Sequence, residues 1–216
     1  MLHNPKPYRL IETESQGRYN PSMPNIKPAP VELDELLAAE FDYIAQTAIQ
    51  ANEDRARVSS FYLIAVGSLV AAMFGTQFFD PDFFSKTVDL MFSGLFLLLT
   101  LLGTSTIMQL ARLRGAWYES ALAMNQLKEY MTSENKRLVK AFRWTTNTLP
   151  SRYKRDSVSY YQAFEVALIS GLTFGAAVFF AQQAFFILGL LHWIIVILLA
   201  GLTIYFQLLI YKRTIK

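Results

Sequence analysis

Few side chains in this sequence could do covalent or acid–base chemistry, and they do not converge. Two histidines occur, His3 near the start and His192 in the last third, and there is no cysteine. Without cysteine there is no disulfide, thiolate metal site, iron–sulfur cluster or thiol nucleophile. His3 and His192 are separated by several apolar blocks and form no shared site, so neither a metal nor any other cofactor is expected. No Gly-rich phosphate loop is present, and no serine or threonine has a base near it. Glu165 sits inside an apolar run, where an acid marks function by default. It lies close to the start of that run and to basic Arg155, so snorkelling or pairing is the expected role. The richest polar patch is Gln46, Gln50, Asn52, Glu53, Asp54, Arg55 and Arg57. Within it Gln50, Glu53, Asp54 and Arg55 could form a ligand-sensing collar, and the plainer reading is a solvated juxtamembrane surface. No catalytic residue is assigned, and an enzyme is not expected.

The elements that would position these residues are apolar blocks. Of the 216 residues 53% are hydrophobic, and Phe, Leu and Ile cluster, which places the chain in the membrane class. Residues 32–131 read as one helical hairpin. An amphipathic arm, 32–57, runs without Pro or Gly into an apolar span at 58–79; after a short acidic turn a second span, near 90–110, continues into a second arm, 111–131. About 20 residues suffice to cross a roughly 30 Å hydrocarbon core. The block 163–216 is too long for one crossing and suits two, with a turn near Gln182 and Gln183, before Gly189, and with His192 and Trp193 close to the far interface. The expected fold is an all-α membrane protein with four transmembrane helices and helical cytosolic extensions. A Pro-rich tail (1–31) precedes the hairpin, and a basic connector (132–162) joins the two halves. The first 30 residues hold no apolar run, so the first span is expected to be its own insertion signal.

Packing faces can be assigned by spacing. Gly67, Ala71 and Gly75 recur every four residues on the first span, and Gly171 and Gly175 form a GxxxG pair on the third. Small residues at this spacing let another helix approach closely. On the arms, Leu37, Phe41 and Ile44 belong to one apolar stripe, and Trp117, Met124 and Leu127 to another, and the two stripes are expected to face each other. Thr100, Thr104, Ser105 and Thr106 can bond back to their own helix carbonyls or line a pore. Leu138, Val139 and Phe142 with Trp144 suggest a short amphipathic helix on the lipid surface, broken at Leu149-Pro150. Asp156 or Ser157 can cap the next helix.

Charge sets the threading. The net charge of +3 is too small to argue for nucleic acid. Its distribution is uneven: 112–162 holds ten Lys/Arg, and Lys212, Arg213 and Lys216 follow the last span, against Lys86 alone on the opposite side. The positive-inside rule then puts both termini and the connector in the cytoplasm, which fits a bacterial inner membrane.

The order of parts, with Ala116-Trp117-Tyr118-Glu119-Ser120-Ala121 through Leu127-Lys128-Glu129-Tyr130 following two spans, resembles the SLATT-type domains over residues 32–131. The resemblance implies a small prokaryotic membrane module acting as an effector, by forming pores, beside nucleotide-signalling defence systems. The second pair of spans and the Pro-rich tail depart from that two-span pattern. The expected partners are the lipid bilayer and either further copies of the chain or a membrane complex. A non-enzymatic protein that assembles through its hairpin is the leading expectation, and a structural or accessory subunit of a larger complex is the alternative.

Overall fold

The structure, a computed structural model, describes residues 32–79, 86–133, 142–186 and 189–215, with the backbone alone for 76–79. The Pro-rich tail, the acidic turn at 80–85 and the 134–141 part of the connector lie outside the described residues. Four long helices belong to one unit, Leu33–Lys216: α1 (Leu33–Phe79), α2 (Lys86–Thr132), α3 (Val158–Phe185) and α4 (Leu190–Ile215). All four are long and apolar enough to cross a membrane, and no strand occurs among the described residues.

α1 and α2 are 47 residues each. At 1.5 Å per residue each is about 70 Å long, more than twice the thickness of a hydrocarbon core. Neither contains proline, so nothing interrupts the hydrogen-bond ladder where arm meets span. Asp34 and Glu35 in the first turn of α1 and Asp89 in that of α2 sit at the positive ends of the helix dipoles. α2 therefore begins at Lys86, a turn earlier than the expected span boundary. α3 is capped by Ser157, whose hydroxyl accepts from the Tyr160 amide at 3.3 Å, and Lys212 and Arg213 occupy the last turn of α4.

The interior is set by a stripe of spacing three and four. On α1 it runs through Leu37, Phe41, Ile44, Ala48, Ala51, Arg55, Val58 and Tyr62, all buried or half-buried. On α2 it runs through Phe96, Thr100, Gly103, Ile107, Leu110, Arg114, Ala121, Asn125 and Thr132, all buried. The spacing averages about 3.5 residues, and the register of the two stripes is visible where Thr47 Oγ1 meets Ser120 Oγ at 3.0 Å. α2 packs on every other helix; α3 lies between α2 and α4, and α1 leans mainly on α2. One core joins Tyr62, Ile107, Leu110, Ala111, Ala163, Val166, Ala167 and Tyr211, and a second joins Phe96, Leu99 and Ala177. Outward, α4 presents Leu190, Leu191, Ile194, Ile197 and Leu198, the surface a lipid-facing helix requires.

Three details differ from the sequence reading. Gln182 and Gln183 stay helical: the chain leaves α3 only after Phe185, where the Phe186 amide donates to the Gln182 carbonyl at 2.8 Å. Two amides in a last helical turn cost the ladder nothing, so their polarity marks the end of the span but not the break. Phe142, Arg143 and Trp144 are not helical, and the described connector instead makes one 3-10 turn, Thr146–Thr148, ahead of Pro150. Arm pairing is the third. Leu37 lines a cavity with Tyr130 and Met131, further along α2 than expected, and Phe41 another with Lys128, Met131 and Phe142. Trp117 and Met124 instead line a cavity with Trp144, Leu149 and Pro150. Ile44 and Leu127 are half-buried. The shift is confined to Leu37: the Thr47–Ser120 register carries it past Leu127, while the same register brings Phe41 and Ile44 level with residues beside Leu127 and Met124.

Candidate functional site

Two buried polar clusters lie on the α1–α2 stripe. The inner one is neutral. Thr100 Oγ1 bonds the Phe96 carbonyl at 2.9 Å and meets Thr173 Oγ1 at 3.1 Å. Thr104 Oγ1 bonds the Thr100 carbonyl at 3.0 Å, and Ser170 Oγ reaches the same carbonyl at 3.3 Å. Gln207 of α4 closes the group, its Nε2 donating to Ser170 Oγ at 2.7 Å and to Thr104 Oγ1 at 2.9 Å. Gly103 makes this approach sterically open: a Cβ there would lie 2.7 Å from Ser170 Cβ and 2.8 Å from the Tyr62 hydroxyl. The Tyr62 hydroxyl and Gln207 Oε1 end in the same region without a hydrogen bond of good geometry. Thr100 and Thr106 are buried and Thr104 half-buried, while Ser105 is exposed. Buried α2 hydroxyls bonded to helix carbonyls and to neighbouring helices do not line a channel through one chain.

The outer cluster is cationic. Arg55 of α1 and Arg114 of α2 retain 8% and 6% of their exposure. One Arg55 Nη donates to Ser159 Oγ in the first turn of α3, and the other to Asn52 Oδ1 at 2.5 Å, while Nε has no partner. Arg114 Nε donates to the Arg152 carbonyl at 3.2 Å, and its guanidinium lies 4.3 Å from the centre of the Trp117 ring. Burial pushes the Arg55 guanidinium below its ordinary basicity, and the neighbouring Arg114 charge pushes the same way. Burial also lowers Arg114. Around the pair Tyr153, Tyr160 and Tyr211 form a ring triangle with centroids 6.1–6.5 Å apart. The Tyr211 hydroxyl donates to the Ser159 carbonyl at 3.1 Å. Among the described residues no carboxylate pairs with either arginine; Asp54 bonds Arg57 at 3.3 Å and Glu119 bonds Arg152 at 3.4 Å.

The structure separates the residues read as a juxtamembrane collar. Gln50 and Glu53 are exposed, Asp54 is half-buried against Arg57, and Arg55 alone turns inward. Gly171 and Gly175 do meet a helix: a Cβ on Gly171 would lie 2.9 Å from the Ala200 carbonyl oxygen, and one on Gly175 3.3 Å from Ala200 Cβ. Gly67 and Gly75 meet nothing within 4 Å, and Ala71 is exposed, so their face has no intrachain partner among the described residues. Glu165 is exposed, and His192 accepts from the Gly189 amide at 3.1 Å beside the Phe186 ring. Missed were Arg114, Ser159, Ser170, Thr173, Gln207 and Tyr62. A signal existed for two of them: Gln207 interrupts the most apolar helix, and Arg114 continues the Ile107–Leu110 spacing. Among the described residues no group of acids and histidines could hold a metal ion. Compared with protein-family models, curated proteins and solved structures, the chain has no match.

Proposed function

We propose that this chain is a non-enzymatic integral membrane protein that works by assembly, with the base of its long hairpin as the contact surface. The observation that carries this is the apolar surface of the arms. Leu33, Leu36, Tyr43, Ile49, Tyr130 and Met131 are all exposed, in a region whose Asp34, Glu35, Glu40, Asp42, Glu53 and Asp54 exclude it from lipid. Apolar side chains clustered on a polar, extramembrane helix pair mark an interaction surface. Positive-inside charge supports a cytoplasmic location for both arms and both termini, and an inner cell membrane as the site. The layout shared with SLATT-type domains supports the sharper form, a pore-type or membrane-perturbing effector. Because the buried α2 hydroxyls are engaged inside the bundle, such a pore would run between copies, against the uncovered Gly67–Ala71–Gly75 face.

Mass measurement of the full chain in mild detergent tests the proposal. A homo-oligomer that Leu36→Glu with Tyr43→Glu dissociates, at unchanged helix content, supports assembly through the arms. A stable complex with other chains supports the alternative, a structural or accessory subunit. A monomer under all mild conditions refutes both. Liposome conductance that rises steeply above a threshold protein density supports the pore form.

A further inference from the structure

We infer that Arg55 and Arg114, closed by the first turn of α3, form a binding site for a phosphate-bearing anion. Two guanidinium groups are withdrawn from water on the packed pair α1 and α2, each on a rigid 47-residue helix, with no described carboxylate bonded to either. Buried charges are otherwise paired, because an unpaired one forfeits its hydration. Each guanidinium is held in place, Arg55 by Ser159 and Asn52 and Arg114 by Trp117 and the Arg152 carbonyl. These bonds use only part of the five N–H donors each offers, and Arg55 Nε stays unpartnered.

The third wall points the same way. α1 and α2 carry acids within their first turns, whereas the first turn of α3 carries none and its nearest acid is Asp156, just before the Ser157 cap. Ser159 joins that end directly to Arg55. Two planar forks and a helix N-terminus together suit a tetrahedral, multiply charged oxyanion better than a single carboxylate. In sequence Arg55 stands three residues before the apolar span expected at 58–79 and Arg114 four residues after the one near 90–110, positions that suit a headgroup phosphate. A phospholipid headgroup and a free phosphate share this chemistry, and the experiment separates them.

The full chain, purified and delipidated in a neutral detergent, is unfolded thermally in two arms. One compares inorganic phosphate with sodium chloride at equal ionic strength. The other compares mixed micelles containing phosphatidylglycerol with detergent alone. The expected result is a Tm rise of several degrees in at least one arm: a rise with inorganic phosphate identifies a soluble anion, and a rise with lipid alone identifies the headgroup. Arg55→Gln and Arg114→Gln should each lose the rise, and Arg57→Gln, one exposed arginine away, should keep it. Should the single variants fold poorly, Arg55→Met with Arg114→Met decides: without ligand it should melt at or above wild type and respond to neither addition. The inference is overturned if wild type responds in neither arm, if the Gln variants respond as wild type does, or if the double Met variant melts well below wild type without ligand.

Discussion

The seam around Gly103 and the cluster around Arg114 lie on one stripe of one helix, about three turns apart, yet they solve burial in opposite ways. The seam is neutral: Thr100, Thr104, Ser170, Thr173 and Gln207 bond one another or their own helix carbonyls, and the two atoms left without a partner, the Tyr62 hydroxyl and Gln207 Oε1, carry no charge. The cluster is cationic and left open, with Arg55 Nε unpartnered and the two charges repelling each other. A satisfied network fixes which helices meet and at what register. An unpaired buried charge raises the energy of the protein without a bound anion, which is why an anion site is inferred there. Position in a stripe therefore does not tell structure from function; the balance of donors, acceptors and charge does.

The sharpest way to break this contrast is at Gly103. An alanine Cβ there would sit 2.7 Å from Ser170 Cβ and 2.8 Å from the Tyr62 hydroxyl, both held inside the core. Overpacking of this kind costs about 1–3 kcal/mol, and Gly103→Leu should prevent the native bundle from forming. Gly67→Ala meets nothing within 4 Å, and the better helix propensity should leave stability unchanged or raise it by up to about 1 kcal/mol. Thermal unfolding of both variants in one detergent reads the difference. Equal effects at Gly103 and Gly67 would mean that α2 and α3 do not approach at the seam.

The two glycines show what the sequence could and could not reveal. Spacing identified four membrane-length helices, the α1 stripe and the Gly171–Gly175 face, and local chemistry narrowed the α3 cap to Asp156 or Ser157, because each rests on local periodicity or local backbone chemistry. The same rule flagged Gly67, Ala71 and Gly75, whose face meets no partner among the described residues, and passed over Gly103, where Ser170 and the Tyr62 hydroxyl already fill the space of a Cβ. A four-residue period measures permission to approach, and only the positions of the other helices say whether one does. Residue type reads Arg55 as part of a ligand-sensing collar or of a solvated juxtamembrane surface, although Ala48 and Ala51 place it on the inward face. Gln207 and Ser170, 37 residues apart in sequence, come together from two different helices, a juxtaposition that local spacing does not reveal.

A middle-sized effect is expected at Gln207. Gln207→Leu removes two bonds from Nε2, but Ser170 and Thr104 keep the Thr100 carbonyl, and the unpartnered Oε1 goes too. Interhelical polar contacts in membranes average about 0.6 kcal/mol and reach about 1.7, so a loss near 1 kcal/mol should follow, below that of Gly103→Ala. Reversible unfolding in mixed micelles measures it. A loss above about 3 kcal/mol would show that the seam depends on Gln207 and is not closed without it.

The smallest effect should come from the helix cap nearest the arginines. Replacing an N-cap serine by alanine typically costs about 1 kcal/mol. Ser157 belongs at the low end, because its hydroxyl bond to the Tyr160 amide is long, at 3.3 Å, and that hydroxyl also donates to the Lys154 carbonyl at 2.7 Å. Its backbone carbonyl still accepts from Tyr160 and Tyr161 at 2.9 and 3.1 Å, so the first turn of α3 stays wound without the hydroxyl. Ser157→Ala should then lower stability by about 0.5 kcal/mol and leave Ser159 in place against Arg55. Hydrogen exchange at the Ser159 and Tyr160 amides provides the measurement. Fast exchange there, with the rest of α3 protected, would mean that the cap hydroxyl, rather than the backbone turn, holds this wall of the cationic cluster.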